Sequence, residues 1–248
     1  MRREEKVAAF VPWGPECEDP LSGPLGPTRS HAALKRIAAS FDLQAVERRI
    51  CEGDPWHFLA NYCVTDDSHW AEKGLAGPYQ QFPAKPYVRS LAHVLWAEPY
   101  AAFPKSRQMF LTWLCAAYML GDAIFVPGRL QMIQSKLEED SVAVLDGRLM
   151  GMYDRLRGFA RWMVPEATLR AQNHVRFSNG SELRACAQGA HHIQSYTPYR
   201  VMFDEVQLQP EAEEAYHQAL PAVRSAWLLG SADRGWFYEV FLADKLRG

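Results

Sequence analysis

The chain has 248 residues, 48% of them apolar, with 27 Lys and Arg against 29 Asp and Glu and a formal charge of −2. That length and apolar content support one sizeable domain with a real core, and the near-neutral balance excludes broad electrostatic coating of nucleic acid while permitting a local basic patch. Five cysteines (Cys17, Cys51, Cys63, Cys115, Cys186) without a CxxC pair, no apolar run long enough to cross a membrane, and no signal-peptide pattern after Met1 lead to the expectation of a reduced, intracellular protein.

Residues 13–30 repeat Pro and Gly and read as an irregular lead-in. Helical spacing follows over 31–50, and a second helix opens at Asp54-Pro55, a capping residue followed by proline at the first turn. Gly and Pro return over 66–86, which reads as a surface connection. Residues 87–96 form a helix, 100–103 a short strand ended by Pro104, 112–120 a buried helix and 129–135 a strand. One long helix is expected from Lys136 to Leu156, and 174–187 alternates around Asn179-Gly180 as a β-hairpin. The strand 199–203 stops at Asp204-Glu205, then a helix spans 210–220, a strand 225–230 and a last helix 236–246. Strands alternating with helices predict an α/β fold with a mainly parallel sheet, whose ligands bind at the carboxyl ends of the strands.

Two places on that edge carry chemistry. The stretch "PKSRQMFLT", residues 104–112, is a basic turn between a strand and a helix. A phosphate loop needs backbone N–H groups around the anion, a helix N-terminus, a cation and a hydroxyl for Mg²⁺. Thr112 supplies the hydroxyl, while Phe110 and Leu111 stand where Gly and Lys usually precede it. Lys105, at the opposite lip, can reach the same phosphates, and Arg107 adds a second cation. The acidic pair Asp204-Glu205 after an apolar strand suits Mg²⁺-water binding by Asp204 and activation of the attacking water by Glu205. Each motif alone is equally an ordinary turn.

Lys105-Ser106-Arg107-Gln108-Met109 with Thr112, then "MIQSKLEEDSVAVL", "FSNGSELRACAQG", "SYTPYRVMFDEV" and "LLGSADRGWFYEVF", resemble in order the ATPase domain of the large terminase subunit of tailed double-stranded DNA bacteriophages, over roughly residues 55–245. The resemblance implies an ASCE-type phosphate-loop NTPase with an inserted hairpin: a motor that hydrolyses ATP with Mg²⁺ to drive double-stranded DNA through a portal protein into a procapsid. It also implies a small terminase subunit as partner, a homo-oligomeric ring on the portal, no membrane, and the cytoplasm of an infected bacterial host. In these terms Lys105 is the phosphate-binding lysine, since some family members carry it at the start of the loop. Ser106, Gln108 and Met109 belong to the same phosphate loop, and Arg107 stabilises charge or senses nucleotide. Asp204 and Thr112 are the metal-associated pair, Glu205 the catalytic carboxylate, Tyr87 a stacking partner for adenine and Ser231 the coupling residue.

Several departures accompany the resemblance. The family's adenine-reading Gln after the Tyr is replaced by Val88, with Gln80 or Gln81 as candidate substitutes. The Arg expected about ten residues before the acidic pair is Gln194, with Arg200 as a stand-in. No nuclease domain fits the residues that follow Ser231, so the expected division is an extension over 1–54 and an ATPase domain over 55–248, without nuclease activity. Arg148, Arg155, Arg157 and Arg161 recur along one helix and its exit, as DNA-phosphate contacts or as a solvated face, and adjacent His191 and His192 are expected to point apart. A catalytically degraded assembly module of the same fold and a related helicase-like ATPase remain alternatives.

Overall fold

The computed structural model describes residues 29–243 except 76, 84, 106–108 and 232–234. The chain divides between Ala97 and Glu98 into two compact units.

The first unit is helical. Helices α1 (His31–Ala38), α2 (Phe41–Gly53), α3 (Pro55–Tyr62) and α4 (Pro86–Ala97) are joined by short turns and one longer segment. The single helix expected over 31–50 is two, because Ser40 adopts an extended conformation and its hydroxyl accepts the Leu43 N–H at 3.4 Å as an N-cap. Asp54 behaves as anticipated: it ends α2 and accepts the His57 N–H at 3.1 Å to start α3, with Pro55 in the first turn. The segment expected to be an irregular connection contains a two-stranded antiparallel ribbon, β1 (Val64–Asp66) with β2 (Tyr79–Gln81). Strands of three residues are too short to show alternation in sequence.

The second unit is a seven-stranded sheet flanked by helices. In chain order its elements are β3 (Tyr100–Pro104), α5 (Leu111–Phe125), β4 (Leu130–Ser135), α6 (Glu138–Val144), a π-helical turn Leu145–Met150 and α7 (Gly151–Phe159). There follow β5 (Ala167–Arg170), β6 (His174–Phe177), β7 (Glu182–Ala187), α8 (Ala190–Gln194), β8 (Arg200–Phe203), α9 (Ala212–Ala219), β9 (Ser225–Gly230) and α10 (Trp236–Ala243). The strand order is β3-β9-β8-β4-β7-β6-β5. The first five strands are mutually parallel, and β6 and β5 add antiparallel at the β7 edge. The expected hairpin is therefore present, turning at Gly180 with φ +82°, and β5 extends it by a strand whose mostly exposed side chains gave it no apolar pattern. The expected long helix is a continuous helical run interrupted by the π turn, which no sequence signal announced.

The central strands β8 and β9 are buried along their whole length, as apolar runs covered on both faces must be. On one face Val201, Phe203, Ala226 and Leu228 pack with Ala212, Ala215, Tyr216 and Ala219 of α9 and with Phe237 and Val240 of α10. On the other, Tyr118 of α5 meets the Trp227 ring edge-on at 5.4 Å. Arg200 lies inside this layer with no exposed surface: its guanidinium pairs with Asp122, reaches Gln131 Oε1 at 3.0 Å and stacks 4.1 Å from the Trp227 ring centroid. It is a core ion pair, so it is no stand-in for an arginine reaching a neighbouring subunit.

Candidate functional site

The parallel pairing brings the carboxyl ends of three strands level. Pro104 of β3 is opposite Gly230 of β9, and Phe203 of β8 is opposite Leu228. The residues that follow these ends, Lys105, Ser231 and Asp204, emerge on one edge. Lys105 is anchored there by its N–H, which donates to the Gly230 carbonyl at 2.8 Å, and Asp204 by its N–H to the Gln134 carbonyl at 2.9 Å.

Three side chains then converge. The Lys105 ammonium donates to Thr112 Oγ1 at 2.8 Å and to Asp204 Oδ1 at 2.7 Å, and the Thr112 hydroxyl lies 3.3 Å from the same Asp204 oxygen. The Glu205 N–H also donates to Asp204 Oδ1 at 3.1 Å. Asp204 and Thr112 are buried, and the Lys105 side chain is 13% exposed, so these charges interact with little solvent between them. Behind the acidic turn, Gln209 Nε2 donates to the Asp204 carbonyl at 2.7 Å and holds the strand end in place.

Two backbone conformations at this edge are unusual. Phe110 at φ +56° and Glu205 at φ +53° are the non-glycine residues with positive φ among the described residues. Left-handed backbone costs a side-chain-bearing residue on the order of 1–2 kcal/mol and persists where surrounding structure imposes it. Phe110 immediately precedes α5, where a phosphate loop usually places glycine, and it keeps the glycine-like backbone without the glycine. Glu205 turns its side chain to solvent at the mouth of the edge while its N–H stays on Asp204.

The remaining expected residues fall as follows. Ser106, Arg107 and Gln108 lie outside the described residues. Met109 sits between them and Phe110, half-buried. Ser231 is exposed, and its N–H donates to Gln207 Oε1 at 3.0 Å, a tie from the β9 exit to the turn after Glu205 that sequence reading missed. Tyr87 is on α4 in the first unit, with the Lys85 ammonium 6.0 Å from its ring centroid. Val88 beside it is core, and the Gln80 and Gln81 amides donate to the Gly77 and Ala60 carbonyls of their own unit. His191 and His192 do not diverge: their ring centroids are 4.0 Å apart.

Of the four arginines grouped in sequence, Arg148 departs from a solvated face. It sits half-buried on the π turn with its guanidinium 5.7 Å from the Trp113 ring centroid. Burial depresses this guanidinium below its ordinary range, against the pull of the Asp204 and Glu205 carboxylates.

A second cluster, Glu47, Cys51 and His57, brings together three ligand types in the first unit. Its carboxylate is already occupied by Arg29 Nη2 at 2.9 Å, Tyr62 OH at 3.0 Å and His57 Nε2 at 2.7 Å, and burial pushes the Cys51 thiol far above its usual range. A guanidinium on the carboxylate and a protonated thiol suit a buried ion-pair network and oppose a metal. Cys51, Cys63, Cys115 and Cys186 are free buried thiols.

A strand leading into a loop and helix, a neighbouring strand tipped with acid, and one further strand inserted between them give the fold of an ASCE-type phosphate-loop NTPase. The chain shares its fold with the large-terminase ATPase domain. The large terminase of bacteriophage HK97 matches 77% of this chain and 40% of its own, at TM-score 0.52 and 13% identity. The large terminase ATPase domain of Thermus phage P74-26 matches 61% of this chain and 68% of its own, at 0.46 and 17%. A large terminase of a thermophilic bacteriophage in complex with ADP matches 54% and 33%, at 0.39 and 16%. At these identities the likeness is one of fold, and the HK97 match carries it. No protein-family model matches the chain, and no curated protein does. Among the described residues, no helix is long and apolar enough to cross a membrane.

Proposed function

We propose that the chain is the ATP-hydrolysing motor domain of a viral DNA-packaging terminase, moving double-stranded DNA into a procapsid. The observation that carries this reading is the Lys105 ammonium within hydrogen-bond distance of both Thr112 and Asp204, which joins the deviant loop to the acid-tipped strand. Lys105 entering from the early lip thus has the reach that a lysine before Thr112 would have had.

In this reading the loop over 105–112 takes the triphosphate, with Lys105 and Arg107 offsetting its charge and Ser106, Gln108 and Met109 shaping the loop. The hard-oxygen pair of Thr112 hydroxyl and Asp204 carboxylate fits Mg²⁺, which when bound neutralises phosphate charge. Glu205 orients and deprotonates the attacking water. Ser231 reports the state of the terminal phosphate. The partners of this motor are double-stranded DNA, a portal protein, a small terminase subunit and further copies of the chain in a ring, in the cytoplasm of an infected bacterium. The ATPase domain begins near residue 55.

The test is ATP hydrolysis by the full chain, with and without double-stranded DNA and portal, against Lys105→Ala as the control. Hydrolysis stimulated by DNA and lost in the control supports the motor. A wild-type chain that binds nucleotide but turns over none would favour the degraded assembly module, and one that binds none would end the reading.

A further inference from the structure

Arg148 is a half-buried cation that the proposed mechanism leaves without a task. The π turn Leu145–Met150 packs on α5, and its extra residue re-aims the side chains it carries, a device found often at functional sites. Leu145, Leu149 and Met150 go into the core and Asp146 and Gly147 to solvent, which leaves Arg148 at the border between them. Its guanidinium lies by Trp113, the residue after Thr112, and its charge is felt by both Asp204 and Glu205. Among the described residues it donates no hydrogen bond and forms no ion pair.

A half-buried guanidinium with five donors and no acceptor is costly, and the cost is offset when an anion arrives. The planar fork fits phosphate oxygens two at a time and, unlike an ammonium, keeps its charge when desolvated. The Asp204 and Glu205 carboxylates act on it electrostatically without a hydrogen bond or ion pair, so the partner that would complete its pairing is an anion entering this edge. Glu205, whose carboxylate acts on this guanidinium electrostatically, faces the attacked phosphorus in the mechanism above; a cation beside Trp113 and within the field of Glu205 meets the outermost phosphoryl group first.

We propose that Arg148 contacts the terminal phosphoryl group of the bound nucleoside triphosphate from the π-turn side, as a cation supplied within the same chain. The assignment rests on the ATPase reading of the site. Arg148 would act where Lys105 does not: Lys105 holds any nucleotide carrying the inner phosphates, whereas Arg148 separates triphosphate from diphosphate.

Arg148→Ala and Arg148→Lys are compared with wild type in the full chain, using fluorescent ATP and ADP analogues with Mg²⁺ and steady-state hydrolysis. Arg148→Ala is expected to lower kcat on the order of 10² to 10³-fold, the range for loss of one preorganised donor to developing charge, and to leave ADP affinity within about twofold. Its ATP affinity should fall about tenfold. Arg148→Lys, which keeps the stem and the charge, should recover part of kcat at unchanged ADP affinity. Wild-type turnover in Arg148→Ala, or equal losses of ATP and ADP affinity with a lowered Tm, would assign Arg148 to structure and overturn the proposal. Should the alanine variant not fold, the lysine variant decides: full wild-type kcat there removes any requirement for the fork. Failure of the ATPase reading is visible in the wild-type chain itself and takes the Arg148 assignment with it.

Discussion

The Lys105 ammonium lies 2.7 Å from Asp204 Oδ1, across 99 residues of sequence and an intervening strand. In the proposed motor, a buried carboxylate already paired with a lysine suits an exchange of cations: the ammonium would pass from the carboxylate to phosphate as Asp204 and Thr112 came to hold Mg²⁺, and neither charge would lose a partner. Lys105→Ala should therefore weaken nucleotide binding about 10- to 100-fold, the equivalent of one charge-assisted hydrogen bond. Unchanged affinity in a fluorescent-nucleotide titration would refute the displaced-lysine interpretation.

In the proposed mechanism Glu205 separates binding from chemistry. Its side chain is exposed and its backbone N–H serves Asp204, so Glu205→Gln keeps the turn and removes the proposed base alone. ATP affinity should stay close to wild type while turnover drops on the order of 10² to 10⁴-fold. Full activity in that variant takes Glu205 out of the mechanism.

Much of the architecture was legible because burial imposes pattern. The strands at 100–104, 130–135, 200–203 and 225–230 are short apolar runs bounded by turn residues, and each lies in the sheet as anticipated. What escaped was either too short or too polar to carry a period: the β1–β2 ribbon, the exposed β5 and the five-residue α8. The site was half legible. Residue type and order singled out Lys105, Thr112 and Asp204, and the structure brings these three side chains together. Arg148 could not be told from Arg155 or Arg157, because a π turn has no composition of its own and only its extra residue turns that arginine inward. Arg200 reads in sequence as a stand-in for the missing arginine because its core partner Asp122 is 78 residues away and leaves no local signal.

That Arg200–Asp122 pair makes a stability prediction. Burial pushes the Asp122 carboxyl up, but Arg200 and Arg129 outweigh burial and hold it below the usual carboxylate range. A depressed folded-state pKa contributes stability that is fully present above the unfolded value, about 4, and is lost as pH falls through the folded value. Asp122→Asn leaves the Arg200 guanidinium buried and uncompensated and should cost about 3–5 kcal/mol at pH 7. The gap between wild type and variant in chemical denaturation should narrow below about pH 4. A gap independent of pH would mean that packing, not charge, holds this layer.

Gly230 tests the tie between the acidic turn and the exit of β9. A Cβ there would meet Gln207 Oε1 at 2.6 Å and Val206 Cγ1 at 2.8 Å. The first is the free end of a side chain that holds the Ser231 N–H; the second is fixed in the core. Gly230→Ala should thus destabilise by about 1–3 kcal/mol through overpacking and displace Gln207 from Ser231. Gln207→Ala alone removes the tie without the clash, and should lower stability by about 1 kcal/mol, the worth of one hydrogen bond. In the double variant the Gln207 clash is gone and only the Val206 contact remains, so its loss should be smaller than the sum of the two single losses. Strict additivity in a double-mutant cycle would show that the two residues do not press on each other, and would leave Ser231 positioned by its own loop.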